Sequence, residues 1–467
     1  MLAKTPVADG NLIFGSVLPL FNGLPRFLCE QYEKHGPVFR VRALNRKFVV
    51  LAGIDAVTFV GSREGKANLE SGPSWIGMIG EYGSDKALVA ADGDAHTAFR
   101  EMMQRGYSRR SLDGRYDRIV HVIDSWIDAN LQPGALLDAV PRLQELIIDE
   151  ISIAIADQIL FHGIDHIRTQ IHWSTNVHLL KRWPAAMLKL PKYRRAKACL
   201  MADADRITRL FLDRSGRAEA QGSGARLFDD LIAAHKQRPD LMTDYELPLN
   251  LYGPFLAGMD TASNTVAAVL YNVLADSNTL DTVRGEVDRL FDANDSINGD
   301  IVAGHAPYLE ATVKETMRLC PSVPALMRHA TRDFTFADHL VRSGEQVMIA
   351  TCVPQMSPEY FEHPFEFKPQ RFLRDQTHLP SGAYSPYGRG HHLCIGKRIA
   401  EVLIPLTVAR LLYRKNFRFE DPGFALKGRY TYGVDLALSM NIRAGSTRHQ
   451  RRATPVVDAP LPRQSDI

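Results

Sequence analysis

A lone cysteine set among glycines directly before a helix constrains this chain more than any other feature. Residues 385–401 read SPYGRGHHLCIGKRIAE, so Gly388, Gly390 and Gly396 surround Cys394 and a helical pattern follows at once. Glycine permits turns closed to other residues and lets a backbone approach a bulky ligand. The N-terminus of the following helix adds positive dipole and free N–H groups, which favour thiolate over thiol. A metal-bound thiolate needs these provisions: deprotonation, hydrogen bonds to sulfur, and room for a flat cofactor. The plainer alternative is a buried free cysteine beside a glycine turn.

The other cysteines are Cys29, Cys199, Cys320 and Cys352, which makes an odd total of five with no CxxC pair. That pattern argues against a disulfide framework and against a zinc site, and it fits a reducing compartment. The 467 residues are 45% hydrophobic and 23% charged, which is globular and large enough for a sizeable core. Lys and Arg total 56 against 53 Asp and Glu. A net charge of +3 speaks against a chain whose main task is coating nucleic acid. Residues 11–28 are fairly apolar but are broken by Asn11, Gly15, Pro19, Asn22, Gly23 and Pro25. They match neither a spanning helix nor a signal peptide. The expectation is an extended lead-in, no membrane anchor and a cytoplasmic protein.

Alternation in Val38–Arg42 and Phe48–Leu51 around Leu44-Asn45-Arg46 predicts a hairpin. From about 94 to 320 the spacing is helical, for example over 118–129, 143–161, 202–214, 249–276 and 280–292. Short strands are expected near 333–350 and 434–442. The tail from 446 to 467 is rich in Arg, Pro, Gln and Ser and reads as mobile. The fold class is mainly α with small β-sheets, with one domain over 1–445.

Several further patterns precede the cysteine. Glu315 and Arg318 are spaced i, i+3 on a helix. Alone, such a pair is usually a solvated ion pair, but the segment 367–372 (FKPQRF), with Arg371, lies between it and Cys394. Asp260 and Thr261, in Ala257-Gly258-Met259-Asp260-Thr261, interrupt a long apolar helix in which both are poor formers. The threonine can bond back to a carbonyl and open the helix locally. Solvent exposure of the pair is the bland alternative. Pro248 and Pro254 predict a kinked or delayed start to this helix, and Thr243 with Glu246 suggests a capping box. His96 and Arg100 lie one helical turn apart, and Arg328 follows the Glu315 helix.

Taken in this order, the motifs resemble the cytochrome P-450 family of haem-thiolate monooxygenases. The family signature Phe-x-x-Gly-x-(Arg/His)-x-Cys-x-Gly is matched by Tyr387, Gly390, His392, Cys394 and Gly396, with Tyr387 departing from the usual Phe. The resemblance implies the family's triangular, helix-rich single domain with a smaller β-rich side. It makes Cys394 the proximal ligand of haem iron (heme b, iron protoporphyrin IX). His392, His96, Arg100 and Arg328 become contacts to its propionates. Glu315, Arg318 and Arg371 become a buried charge network, and Asp260 with Thr261 the pair that delivers protons on the distal side.

The resemblance further implies hydroxylation or epoxidation of a hydrophobic small molecule with O2, in the setting of secondary metabolism. The chain has no dinucleotide fingerprint and no iron–sulfur cysteine cluster, so electrons would come from an external ferredoxin or flavodoxin with its reductase. Arg389, Lys397 and Arg398, with Arg105, Arg109 and Arg110, could form a basic docking face. A plain solvated surface is the alternative. By family position the substrate pocket would draw on Trp75, Ile76, Met78, Ile79, Phe255, Ala257, Val323, Pro324, Ala325, Leu326 and Val434, and ordinary core is the alternative for such residues. A peroxygenase or isomerase, and a haem sensor without turnover, remain the competing activities.

Overall fold

The computed structural model describes residues 3–11, 14–43, 46–84, 86–216, 227–293, 304–373, 379–426 and 440–449. The longer helices, numbered in chain order, are α1 (Leu24–His35), α2 (Gly72–Gly80), α3 (Gly93–Met103), α4 (Tyr116–Asn130), α5 (Ala139–Ala156) and α6 (Asp165–Ser174). They continue with α7 (Pro191–Gly216), α8 (Leu227–Gln237), α9 (Glu246–Ala275), α10 (Ser277–Ala293), α11 (Pro307–Leu319) and α12 (Lys397–Arg414).

Which helices lie inside follows from their composition. In α5, Leu143, Leu146–Ile148, Ile151 and Ile153–Ala156 are all buried, and in α12 so is every residue from Val402 to Arg414. Helices apolar on all sides must be covered on all sides. Accordingly α9 packs along α5 and also touches α7, α8, α10, α11 and α12. These helices share one large apolar cluster.

The β elements stand to one side. Strands β1 (Val38–Ala43), β2 (Arg46–Ala52), β3 (Leu69–Glu70), β5 (Leu326–Ala330) and β8 (Gln346–Ala350) form a sheet in the order β1-β2-β8-β5-β3. The expected hairpin is there, with Val38 opposite Leu51. Its turn residues Leu44 and Asn45 lie outside the described residues. Strands β6 (Phe334–Phe336) and β7 (His339–Val341) pair with each other. Strand β10 (Asn441–Thr447) lies between β4 (Leu136–Asp138) and β9 (Lys415–Phe419).

Three local expectations are corrected. Helix α9 starts at Glu246 without delay, because Pro248 falls in the first turn, where an N–H has no intrahelical acceptor. It then runs unbroken through Pro254. The capping box is one-sided: the Glu246 carboxylate accepts from the Thr243 N–H at 3.0 Å, while the threonine oxygen accepts from Tyr245 rather than Glu246. Helix α5 ends at Ala156 rather than at 161, where Asp157 turns left-handed at φ 60°.

Candidate functional site

The cysteine loop is shaped by its own glycines. Gly388 and Gly390 take φ of 72° and 75°, values that L side chains adopt only with strain. A Cβ on Gly390 would also lie 2.6 Å from the Gly61 Cα. At Gly396, by contrast, a Cβ would meet the Cys394 sulfur at an ordinary 3.9 Å. The Cys394 N–H donates to the Tyr387 carbonyl at 3.0 Å, which closes the loop, and Lys397 lies over the Tyr387 ring. Cys394 is exposed, yet burial still pushes its thiol upward. The side chain thus keeps accessible surface within densely packed surroundings. Backbone N–H groups of Gly396 and Lys397 and the charges of Arg100 and Lys397 work against that shift and favour the thiolate.

Helix α3 brings His96 and Arg100 to this loop. Arg100 Nη1 donates to the Leu393 carbonyl at 2.7 Å. The buried His96 ring lies 4.1 Å from that of His391 and 4.2 Å from that of His392. Burial, with His392, His391 and Arg100 alongside, pushes the His96 imidazole down to about 3, so it is neutral. The third expected cation, Arg328 on β5, shares a cavity of about 220 Å³ with His391, His392 and Arg389. His392 Nε2 lies 2.9 Å from Asp92 Oδ1.

Beneath the loop, Glu315, Arg318 and Arg371 form the anticipated network. Arg318 Nε and Nη2 donate to the two Glu315 oxygens at 2.8 and 2.9 Å. Arg371 Nε and the Lys368 N–H each donate to Glu315 Oε1 at 2.9 Å. Arg318 Nη1 donates to the carbonyls of Gln355 and Pro364, both at 2.7 Å. Gln355 in turn accepts from the Ser385 N–H at 3.0 Å, where the cysteine segment begins. Such a network fixes geometry more than it stabilises.

Asp260 and Thr261 diverge on α9. The Thr261 hydroxyl donates to the Ala257 carbonyl at 2.8 Å, and Ser322 Oγ reaches the Thr261 carbonyl at 3.3 Å. Asp260 is buried against α5, where Gln144 Nε2 donates to its Oδ1 at 2.6 Å. Arg168 Nε donates to Gln144 Oε1 at 2.7 Å and its Nη1 to Asp165 at 2.6 Å, and the Asp165 side chain is 95% exposed. Burial pushes the Asp260 carboxyl up to about 6, against the Gln144 hydrogen bond and the Arg168 charge. No side-chain bond joins this pair to the cysteine loop among the described residues; the two regions meet through the packing of α9 on α12.

The expected pocket residues separate into two groups. Trp75, Ile76 and Met78 on α2 keep accessible surface, as do Ala257, Val323 and Leu326. Helix α2 packs on β5, and Leu326 lies over Gly388. Ile79, Phe255 and Ala325 are instead core: Phe255 has no accessible surface and packs edge-on against Phe161 at 4.8 Å. Pro324 is buried too, its carbonyl accepting from the Cys352 N–H and the Thr351 hydroxyl. These four therefore present little or no surface, unlike the first group. Val434 lies outside the described residues. The basic face is also partly cancelled. Lys397 and Arg398 pair with Glu401, and Arg105 pairs with Asp230.

Sequence reasoning missed Asp92, Gln144, Arg168 and His391. No local pattern marks the first three, because the partners that tie them to the site, His392 for Asp92, Asp260 for Gln144 and Gln144 for Arg168, come from other segments. His391 stands beside a signature position and was readable only as a neighbour of His392.

The cytochrome P450 family model matches residues 6–428. Putative cytochrome P450 139 of Mycobacterium tuberculosis is 25% identical over 395 residues, 83% of this chain and 89% of that protein. Cytochrome P450 76A1 of Solanum melongena is 28% identical over 232 residues, covering 48% of this chain and 49% of that one. Iridoid oxidase of Catharanthus roseus is 30% identical over 180 residues, covering 38% and 35%. The chain thus spans about half or less of the length of these two plant relatives. Among solved structures, retinoic acid-bound cyanobacterial CYP120A1 superposes with a TM-score of 0.77 at 19% identity, covering 96% of this chain and all of that one. The haem domain of cytochrome P450DA gives 0.76 at 18%, covering 97% and 99%. At these identities the structural likeness concerns the fold.

Proposed function

The chain belongs to the cytochrome P450 family, and from that premise we propose that it is a monooxygenase. It would place one atom of O2 in a hydrophobic small molecule by hydroxylation or epoxidation. The observation that carries this reading is the Cys394 thiol, accessible and supplied with backbone N–H groups at the start of α12.

The residues present fit a haem. Besides the accessible sulfur, His96 Nδ1 is buried with no hydrogen-bond partner, which suits it to meet a polar group of a ligand. Cys394 would hold the iron, with His96, Arg100 and Arg328 at the carboxylate side. With no CxxC pair for covalent attachment, heme b held by contacts alone is the reading. When bound, the haem supplies the redox and oxygen-transfer chemistry.

The chain's own contribution is to bind, orient and move protons. A carboxyl titrating at about 6, as Asp260 does, both holds and releases a proton near neutral pH. Its Oδ1 is fixed by Gln144, and the link through Arg168 to Asp165 reaches solvent. The Thr261 hydroxyl spends its proton on the Ala257 carbonyl and keeps lone pairs to accept another bond. Both α2 and the segment from Val323 to Leu326 offer apolar surface, which suits a hydrophobic substrate. Iridoid oxidase and the retinoic acid complex, to which the chain is similar, carry the names of small hydrophobic molecules. Electrons would arrive from a ferredoxin or flavodoxin docked near Arg389, Lys397 and Arg398.

Turnover with surrogate redox partners under 18O-labelled O2 tests this. Product carrying one labelled atom, with NAD(P)H consumed only when a substrate is present, is expected. Product formed equally well from peroxide alone, with no label from O2, would assign a peroxygenase instead.

A further inference from the structure

We propose that Ser322, in the turn between α11 and β5, is a positioning residue for Thr261: its hydroxyl braces a stretch of α9 that the helix's own side chains weaken. The consequence for turnover rests on the monooxygenase reading above. Three hydroxyls in that stretch turn back on their own helix. Thr261 donates to the Ala257 carbonyl at 2.8 Å, Ser263 to the Met259 carbonyl at 2.7 Å and Thr265 to the Thr261 carbonyl at 2.7 Å. Back-bonds of this kind slightly destabilise and often bend a helix. Pro254 and Gly258 add to the weakness, the first by lacking an N–H and the second by its poor helix propensity.

The direction of the Ser322 proton follows from the contacts. Ser322 Oγ lies 3.1 Å from Thr265 Oγ1 and 3.3 Å from the Thr261 carbonyl oxygen. Thr265 has one proton, and its shorter contact, to a carbonyl that can only accept, takes it. Ser322 is therefore the donor in both of its contacts and shares one proton between them. Both hydrogen-bond paths end on the Thr261 carbonyl, so these hydroxyls do not carry a proton onward to the Thr261 side chain. What they hold is the backbone from which that side chain projects.

The turn that carries Ser322 is itself fixed. Pro321 and Pro324 restrict φ on either side of it. The Pro324 carbonyl accepts the Cys352 N–H at 3.0 Å and the Thr351 hydroxyl at 3.1 Å. The Cys320 N–H donates to the Thr316 carbonyl at 2.7 Å, which ties the turn to the end of α11. On α9, Ala257, Gly258, Thr261 and Ala262 keep accessible surface, while Met259, Asp260 and the run from Ser263 to Leu270 are buried. Val323 and Leu326 keep accessible surface as well. Ser322 thus links the segment of Val323 and Leu326 to the turn of α9 that presents Thr261.

Hydrogen–deuterium exchange of the holoprotein, read on peptides spanning 257–266, tests the brace in wild type, Ser322→Ala and Ser322→Thr. Ser322→Ala should exchange there about fivefold faster, the effect of one hydrogen bond, with α4 unchanged. Ser322→Thr, which keeps the hydroxyl, should restore the wild-type rate. NAD(P)H oxidation with surrogate redox partners and dodecanoic acid as probe tests the consequence. Ser322→Ala should raise the share of electrons lost as peroxide severalfold, because a misplaced proton-handling group costs rate. The probe's Kd should not move, and in a Thr261→Val background the same substitution should add nothing. Wild-type exchange in Ser322→Ala, or faster exchange with the peroxide share unmoved, would overturn the proposal. If wild type oxidises no NAD(P)H with this probe, the exchange rates and their rescue by Ser322→Thr decide alone. Failure of the monooxygenase reading is a separate outcome, in which wild-type product carries no label from O2 while the exchange difference persists.

Discussion

At the scale of single residues, the site depends on groups with one permissible identity or one protonation habit. Gly390 is an example of the first. Alanine there meets both a left-handed φ of 75° and a Cβ 2.6 Å from the Gly61 Cα. Gly390→Ala should destabilise the protein by about 2 kcal/mol or more and reduce haem content per chain, measured by denaturation and by the Soret-to-protein absorbance ratio. Asp260 is an example of the second. Its folded carboxyl titrates at about 6 against an ordinary 3.8, so between those values the folded chain holds a proton that the unfolded chain releases. Stability therefore falls as pH rises through that window, by at most about 3 kcal/mol. Asp260→Asn should flatten that slope in denaturant titrations, and should cut product formation about a hundredfold while peroxide leakage rises. An unchanged slope and unchanged product yield would remove Asp260 from the proton path. The cysteine loop was legible in the sequence because turns, glycines and a helix start are local. Asp92 and Gln144 were not, since their partners lie 300 and 116 residues away.

At the scale of elements, two buried carboxylates join helices in different ways. Glu315 is fully paired with Arg318 and Arg371, and removing its carboxylate leaves the buried Arg318 without its partner. Glu315→Gln should cost about 3–5 kcal/mol and leave little haem-loaded protein on expression. Glu150 on α5 meets Thr407 on α12, with oxygens at 2.8 and 3.0 Å from the hydroxyl. That hydroxyl also lies 2.6 Å from the Leu403 carbonyl and has one proton to give. Burial pushes the Glu150 carboxyl up to about 8, against the hydrogen bond it accepts from Thr407. Its folded pKa is raised, so the stability linked to its neutral form is fully present at low pH and is lost as pH climbs from about 4.5 toward 8. Glu150→Gln, which is neutral at every pH, should be more stable than wild type at pH 7 and should lose that slope. A variant less stable at pH 7 would contradict the protonated reading. Helical spacing made the long helices legible, though not their ends. The expectation for α7 began at 202, yet Pro191 opens it and Tyr193, Ala196 and Leu200 are buried at helical intervals among charges that masked them. Strand β9 was missed because five residues give alternation little room.

At the scale of the whole molecule, elements from both the helical body and the sheet converge on one loop. α3, α11 and β5 supply His96 and Arg100, the Glu315 network and Arg328. The surface near that loop is less positive than its sequence suggests, because Glu401 pairs with both Lys397 and Arg398. If an acidic redox protein docks there, Glu401→Gln should speed its association at low salt. The gain should vanish as ionic strength approaches about 1 M, where screening shortens to about 3 Å. Stopped-flow reduction at varied salt would show this, and a rate indifferent to both mutation and salt would place the docking face elsewhere.

That Cys394 would hold the iron of a haem is the claim on which the rest depends, and a carbon monoxide difference spectrum of the reduced protein tests it most directly. Wild type should give the red-shifted Soret band of a thiolate-ligated haem, and Cys394→Ser should lose that band. Its absence from wild type, or its persistence in Cys394→Ser, would contradict the account.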